Sequence, residues 1–336
     1  MTDQLELKPS EVRAAIEDCL ASGIIPITLG PMGVGKSSIH AQICDDLGLE
    51  FLDVRTTQME AVDARGLPIP DTSAGLTRWL RPEFLPTKGA GVLFLDELPS
   101  APKAIQISLY QLLTDRCIGP HRIGDDWLIA AAGNRMEDAA GVSKMLAPMA
   151  NRLVHLFIRA DIDDWTLWAI DHQMPQALIA FLRWRSELLY DFSPEPGKGI
   201  HGFPTPRSWE AVGHIFNREP SKAVEPALYA GAVGAGAAAE WLGFIKIFRQ
   251  LPNIDAALLN PDKVDLPNND PSTLYAFVAG LSGRVGENTM DNFCKLLDKF
   301  SAEYATLGMK LAIGRDNDLV HTTAYSRWAA TNKEAA

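Results

Sequence analysis

Eight residues, Gly30-Pro-Met-Gly-Val-Gly-Lys36-Ser37, place small residues, a lysine and a hydroxyl at the spacing G-x-x-x-x-G-K-[ST]. Glycines let several backbone N–H groups turn toward one point, the lysine reaches β- and γ-phosphates, and the serine can hold Mg²⁺. The candidate binding residues are Gly30, Gly33, Val34, Gly35, Lys36, Ser37 and Ser38. A second group, Gly91-Val-Leu-Phe-Leu-Asp96-Glu97, delivers two carboxylates at the end of an apolar run. Asp96, beside Ser37, would hold Mg²⁺, directly or through water, and Glu97 would polarise an attacking water. Asn134 follows the apolar run 127–132. Its amide could bond that water or the γ-phosphate, or simply cap a turn. Together these residues predict a nucleotide triphosphatase that uses Mg²⁺.

The flanking elements are those such a site needs. Residues 24–29 read as a short apolar strand, and residues 38–47 have apolar positions at helical spacing with Gly48 as a stop. Strand, glycine turn and helix start put the positive end of a helix dipole at the anion site. Gly-rich turns also occur in plain α/β folds, but here the lysine, the serine and both flanking elements are in register. The run 91–95 reads as a buried parallel strand whose C-terminal edge carries Asp96 and Glu97, and ligands of open α/β sheets bind at that edge. Further strands are expected at 51–56, 127–132 and within 153–158, a hairpin at 116–124 turning at Gly119-Pro120, and helices at 10–21 (capped by Ser10) and 102–114. Residues 58–88 are irregular and punctuated by prolines, which marks a functional insert. Its Trp79, Arg81 and Phe84 either grip a partner or, for the two aromatics, pack the insert onto the core.

From Asp161 the chain turns helical. Helices are expected from 163 and over 175–192, a loop at 193–199, and a helix opening on Thr205-Pro-Arg207-Ser-Trp209. Residues 226–248 are apolar for nearly a membrane span, yet Ala and Gly dominate and Glu240 sits centrally, which fits a packed helix pair. Residues 253–271 read as a linker, and 272–332 as two or three more helices in which Tyr275, Phe277, Tyr304, Tyr325 and Trp328 serve as core.

Bulk properties set outer bounds. A length of 336 residues implies two or three domains, and 47% hydrophobic with 22% charged residues is ordinary for a soluble globular chain. The net charge of −11 argues against a broad sequence-independent nucleic-acid surface, though not against a local basic patch. The four cysteines, Cys19, Cys44, Cys117 and Cys294, are far apart, and the seven histidines show no metal-ligand spacing. With an acidic N-terminus that lacks a signal-peptide core, a cytoplasmic protein is expected.

In these motifs the sequence resembles an AAA+ ATPase core. The Gly66-Leu-Pro insert, the hairpin before Asn134 and the Ala-Asn-Arg152-Leu element resemble the MoxR branch of that superfamily, with the likeness specific over about residues 20–215. The resemblance implies an α/β AAA+ P-loop core with a five-stranded parallel sheet at 1–160, carrying an insert at about 58–88. A helical lid at 161–252 and a linker with a helical C-terminal extension at 253–336 would follow. It places Lys36, Ser37, Asp96 and Glu97 on the two Walker motifs and Asn134 at sensor 1. It makes Arg152 the arginine finger reaching the neighbouring subunit's nucleotide, and Arg207 the sensor-2 residue of the lid. The family carries an acid before the finger; Asn151 stands there instead, and Arg135 is the other candidate. The implied activity is ATP hydrolysis in a homo-oligomeric, hexameric ring that remodels a protein partner in a chaperone-like way, with partners bearing a von Willebrand A-type domain. One alternative is a nucleic-acid-directed AAA+ motor, with Arg78, Arg81 and Lys88 lining a pore. Another is a small-molecule kinase, because the phosphate loop is similar to that of shikimate-kinase-like enzymes.

Overall fold

In the first of two units, Met1–Ala160, a two-residue strand β1 (Glu6–Leu7) leads into helix α1 (Pro9–Ala21). Pro9 takes the first helical position, where its missing N–H costs nothing, and the Glu11 carboxylate accepts from the Lys8 N–H at 3.0 Å. The cap therefore falls at Lys8, and Ser10 lies inside the first turn rather than before it. The computed structural model describes residues 5–135, 145–192, 202–251, 253–264 and 270–332.

Strand β2 (Pro26–Leu29) is wholly buried and runs into α2 (Lys36–Leu47), which Gly48 ends at a φ of 65°. Next come β3 (Glu50–Arg55), the short helix α3 (Ala61–Arg65), the antiparallel pair β4 (Pro68–Asp71) and β5 (Leu76–Trp79), and β6 (Gly91–Asp96). Helix α4 (Lys103–Asp115), the hairpin β7 (Cys117–Ile118) and β8 (His121–Arg122), β9 (Trp127–Gly133), the single turn α5 (Ala147–Ala150) and β10 (Val154–Ile158) complete the unit.

The five expected strands form one parallel sheet, and β1 adds a sixth at its edge, giving the order β1-β10-β2-β9-β6-β3. Leu29 lies opposite Gly133, and Arg55 opposite Asp96, so the phosphate loop, the acidic pair and Asn134 leave the sheet along one edge. Helices and apolar strands bury a shared core that includes Ile27, Leu93, Leu95, Leu109 and Trp127. The insert is more ordered than its prolines suggested. Pro68 and Pro70 pair with Trp79 and Thr77 in an isolated two-stranded ribbon, where an absent N–H is tolerated.

The second unit, Asp161–Ala336, is helical throughout its described residues. It contains α6 (Ile162–Asp171), α7 (Gln176–Trp184), α8 (Pro206–Asn217), α9 (Glu225–Val233), α10 (Ala235–Arg249), α11 (Ile254–Leu259), α12 (Pro271–Arg284), α13 (Met290–Leu297), α14 (Ala302–Arg315) and α15 (Thr323–Thr331). The helix expected over 175–192 closes at Trp184 and passes into a 3₁₀ turn at Ser186–Leu189. The apolar stretch 226–248 is a helix pair broken at Gly234 (φ 81°), and no described helix is long and apolar enough to cross a membrane. In this unit the rings of Trp209, Trp241 and Phe244 meet Phe181 at tilted or edge-on angles, and the Trp209 indole donates to the Leu188 carbonyl at 2.6 Å.

Helices after residue 253 do not stand apart from those before it. α12 packs along α7 and α14, and Gln176 of α7 donates to the Leu311 carbonyl of α14 at 3.3 Å. The loop expected at 193–199 and part of the linker expected at 253–271 lie outside the described residues. The architecture is a six-stranded parallel α/β core followed by a helical part.

Candidate nucleotide site

The phosphate loop follows from local backbone requirements. Gly35, at a φ of 94°, supplies the left-handed step that turns the chain into α2. Gly30 sits so near β10 that a Cβ there would lie 2.5 Å from the Ile158 carbonyl oxygen. Helix α2 begins at Lys36 with no side-chain cap and no acid in its first turn. Its leading N–H groups therefore point from a positive helix end that carries no side-chain cap.

Side chains converge on this loop. The Lys36 ammonium donates to the carbonyls of Gly30 (2.9 Å) and Pro31 (2.7 Å) and to the Asn134 amide oxygen (2.9 Å). The Ser37 hydroxyl lies 3.3 Å from Asp96 Oδ2. Asp96 is held in turn: its Oδ1 accepts from the Glu97 N–H (2.9 Å), and its backbone carbonyl accepts from the Thr56 hydroxyl (2.8 Å). Lys36, Ser37, Asp96, Glu97 and Asn134 are all half-buried.

Glu97 occupies a left-handed conformation (φ 57°), which is uncommon for a side-chain-bearing residue and marks a strained turn at the end of β6. Its carboxylate accepts from the Thr57 hydroxyl at 2.5 Å. Thr56 and Thr57 were not singled out in the sequence. The signal was their place just past the end of β3, whose Arg55 lies opposite Asp96, which only the strand register reveals.

The arginines separate clearly. Arg152 follows α5, is exposed, and its guanidinium makes no hydrogen bond or ion pair with the described residues. Arg135 instead pairs with Glu6 of the edge strand, within its own chain. Arg207 is exposed in the first turn of α8, whose Thr205 cap accepts from the Ser208 N–H at 3.0 Å. It belongs to the second unit, whereas Lys36, Asp96 and Asn134 belong to the first. In the insert, Phe84 packs against the core of the first unit, while Trp79 is 38% exposed with the Arg65 guanidinium 5.7 Å from its ring. The two aromatics thus take different parts.

Behind the loop, the Thr28 hydroxyl and the His40 ring share a hydrogen bond at 3.1 Å in full burial. Desolvation lowers the His40 pKa to about 3, so the imidazole is neutral beneath the cradle.

No protein-family model matches the sequence, and comparison with curated proteins finds no match. Among solved structures, NtrX from Brucella abortus is 15% identical over 100% of this chain and 69% of that one, at a TM-score of 0.34. The same protein in complex with ADP is 15% identical over 97% and 68%, at 0.35. The Thermotoga maritima RuvB Holliday junction branch migration motor is 15% identical over 81% and 80%, at 0.35. Such values concern the fold alone.

Proposed function

We propose that this chain is a MoxR-like AAA+ ATPase that hydrolyses ATP with Mg²⁺ in a closed head-to-tail ring, hexameric by family expectation, and remodels a protein partner. The observation that carries this reading is the convergence of Lys36 on Asn134 and of Ser37 on Asp96 at one sheet edge. An uncapped helix start, left-handed glycines and an ammonium already bonded to backbone carbonyls suit a polyphosphate. Among the described residues no cluster of three or more His, Cys, Asp or Glu could cage a metal. Ser37 and Asp96, 3.3 Å apart, would hold Mg²⁺ together with phosphate oxygens and water, as this ion prefers. Bound there, Mg²⁺ supplies neutralisation of phosphate charge.

The protein's own groups do the rest. Lys36 holds the phosphates, Asn134 orients Lys36 and the γ-phosphate or water, and Glu97 directs the attacking water. Phosphoryl transfer needs positioning and charge neutralisation more than covalent help. An exposed Arg152 whose guanidinium has no partner among the described residues suits a group acting on a neighbour's nucleotide, and Arg207 would act from the lid. A heterologous contact that closes gives a ring. A von Willebrand A-type domain is the partner class to test first, and a cytoplasmic setting is proposed with it.

The decisive experiment is phosphate release from Mg-ATP by the full chain without added acceptor. Release sustained over many turnovers supports an ATPase, and release only with a small-molecule acceptor would indicate a kinase. Arg152→Ala should keep ATP binding but lose roughly 10³–10⁵ in rate, the size found for arginines supplied in trans. Partial recovery on mixing with Glu97→Gln subunits would locate the arginine in trans.

Exposed Arg78, Arg81 and Lys88 are what a nucleic-acid motor would use. Two of them are engaged internally: Arg78 pairs with Asp71 at 2.6 Å, and Arg81 donates to the Leu85 carbonyl and the Thr87 hydroxyl at 2.9 Å each. That favours the protein partner. DNA affinity falling linearly in log salt would reverse the preference.

A further inference from the structure

Helix α4 carries a polar side chain that is completely buried, Gln106. Its Nε2 donates to the carbonyl oxygens of Ala101 (3.0 Å) and Pro99 (3.3 Å), and its Oε1 accepts from the Leu146 N–H (3.2 Å). Two carbonyls require donors and one N–H requires an acceptor, so a primary amide in a single orientation meets all three.

These partners belong to the machinery described above. Pro99 and Ala101 lie in the turn that follows Glu97, where the Ser100 N–H donates to the Glu97 carbonyl at 2.9 Å. Pro99 also closes on Gly133, where a Cβ would stand 2.3 Å from Pro99 Cδ, one residue before Asn134. Leu146 is the cap residue of α5, and the turn leaving α5 carries Arg152, whose N–H donates to Met149 at 3.0 Å. Four helical residues cannot hold themselves in place, so α5 depends on such anchors and on buried Met149.

We propose that Gln106 is a positioning residue that fixes the Glu97 turn and the Arg152 helix to one another. A subunit's water-directing carboxylate and the guanidinium it presents to its neighbour are then set together. The proposal rests on the ring-ATPase reading. An apolar side chain would fill the space equally well, whereas a three-bonded amide constrains direction as well as volume.

Gln106→Met removes both arms of the link at similar length, and Gln106→Glu keeps the oxygen facing Leu146 while changing the arm toward Pro99 and Ala101. In assembled full-length protein, Gln106→Met should bind ATP with wild-type affinity and turn over about 10²-fold more slowly, the cost of a displacement near 1 Å. Mixed assemblies separate positioning from general weakening. Gln106→Met should be restored neither by Glu97→Gln subunits, which donate an intact Arg152, nor by Arg152→Ala subunits, which offer an intact Glu97. Gln106→Glu should be restored by Arg152→Ala subunits alone, and this arm decides the matter if Gln106→Met does not fold. Normal turnover by Gln106→Met or full rescue by either partner overturns the link, as does failure of Arg152→Ala subunits to restore Gln106→Glu. Normal turnover by Arg152→Ala would instead overturn the underlying reading, and this inference with it.

Discussion

Two regions of the first unit are built in opposite ways. At the phosphate loop, Lys36, Ser37, Asp96, Glu97 and Asn134 are half-buried and engaged with one another or with neighbouring backbone and threonines. On the β4–β5 ribbon, residues 72–80 are all exposed, among them Leu76, Trp79 and Leu80, and Ile69 is exposed on the facing strand. Chemistry on phosphate gains from groups fixed before the substrate arrives. A surface for a partner must instead leave apolar groups uncovered, as these residues are. On the proposed reading, hydrolysis belongs to the first region and partner engagement to the second.

Substitutions at the loop should give the largest effects. Lys36→Ala removes the ammonium that meets three acceptors, and calorimetry with Mg-ATP should then detect no binding. Glu97→Gln keeps the shape of the side chain and its oxygen toward Thr57. It should bind ATP normally while kcat falls about 10²–10⁴-fold, the usual worth of a positioned base. ATP binding retained by Lys36→Ala would dissolve the contrast at its root.

Within the insert the same contrast recurs on a smaller scale. Leu85 is fully buried in the core cluster, so Leu85→Ala should cost about 2–5 kcal/mol in urea unfolding. The loss would show that the base of the insert belongs to the fold even though its tip does not.

A pH effect should come from beneath the loop. The folded pKa of His40 is about 3, below its ordinary value of 6.5, so the folded state excludes a proton that the unfolded chain accepts. Stability is therefore full above pH 6.5 and falls as pH drops toward 3, by about 2 kcal/mol at pH 5 at 1.4 kcal/mol per unit. Unfolding at pH 7.5 and pH 5 measures this, and His40→Gln should lose most of the difference. An unchanged pH dependence in that variant would place the titration elsewhere.

What could be read in the sequence was whatever depends on neighbours in the chain. The phosphate loop, the apolar run ending in Asp96 and Glu97, and the Gly119-Pro120 hairpin each declare themselves over a few residues. The Thr57–Glu97 bond spans 40 positions and the Leu146–Gln106 bond another 40, so neither has a local signature. The β4–β5 ribbon was hidden for a different reason. Pro68 and Pro70 argue against a strand inside a sheet, and the argument fails for a free-standing pair. Helix α12 likewise looked like the start of an extension, because its packing on α7 joins segments about a hundred residues apart.

Trp79→Ala should produce the smallest effect on the protein alone and the most informative one in its company. The ring is exposed and touches Arg65 through a solvated cation–π contact of about 0.5–1 kcal/mol. The Trp79 backbone carbonyl, which meets the His121 ring at 3.0 Å, is untouched by the substitution. Stability should therefore fall by no more than about 1 kcal/mol, and basal ATP hydrolysis should match wild type. If the ribbon engages a partner, the tryptophan is the side chain expected to contribute most of the binding energy, because large aromatics anchor interfaces. Hydrolysis stimulated by a captured partner should then be lost in Trp79→Ala while basal hydrolysis persists. Stimulation that survives the substitution would move the partner site off the ribbon, leaving its exposed apolar residues without the role assigned to them.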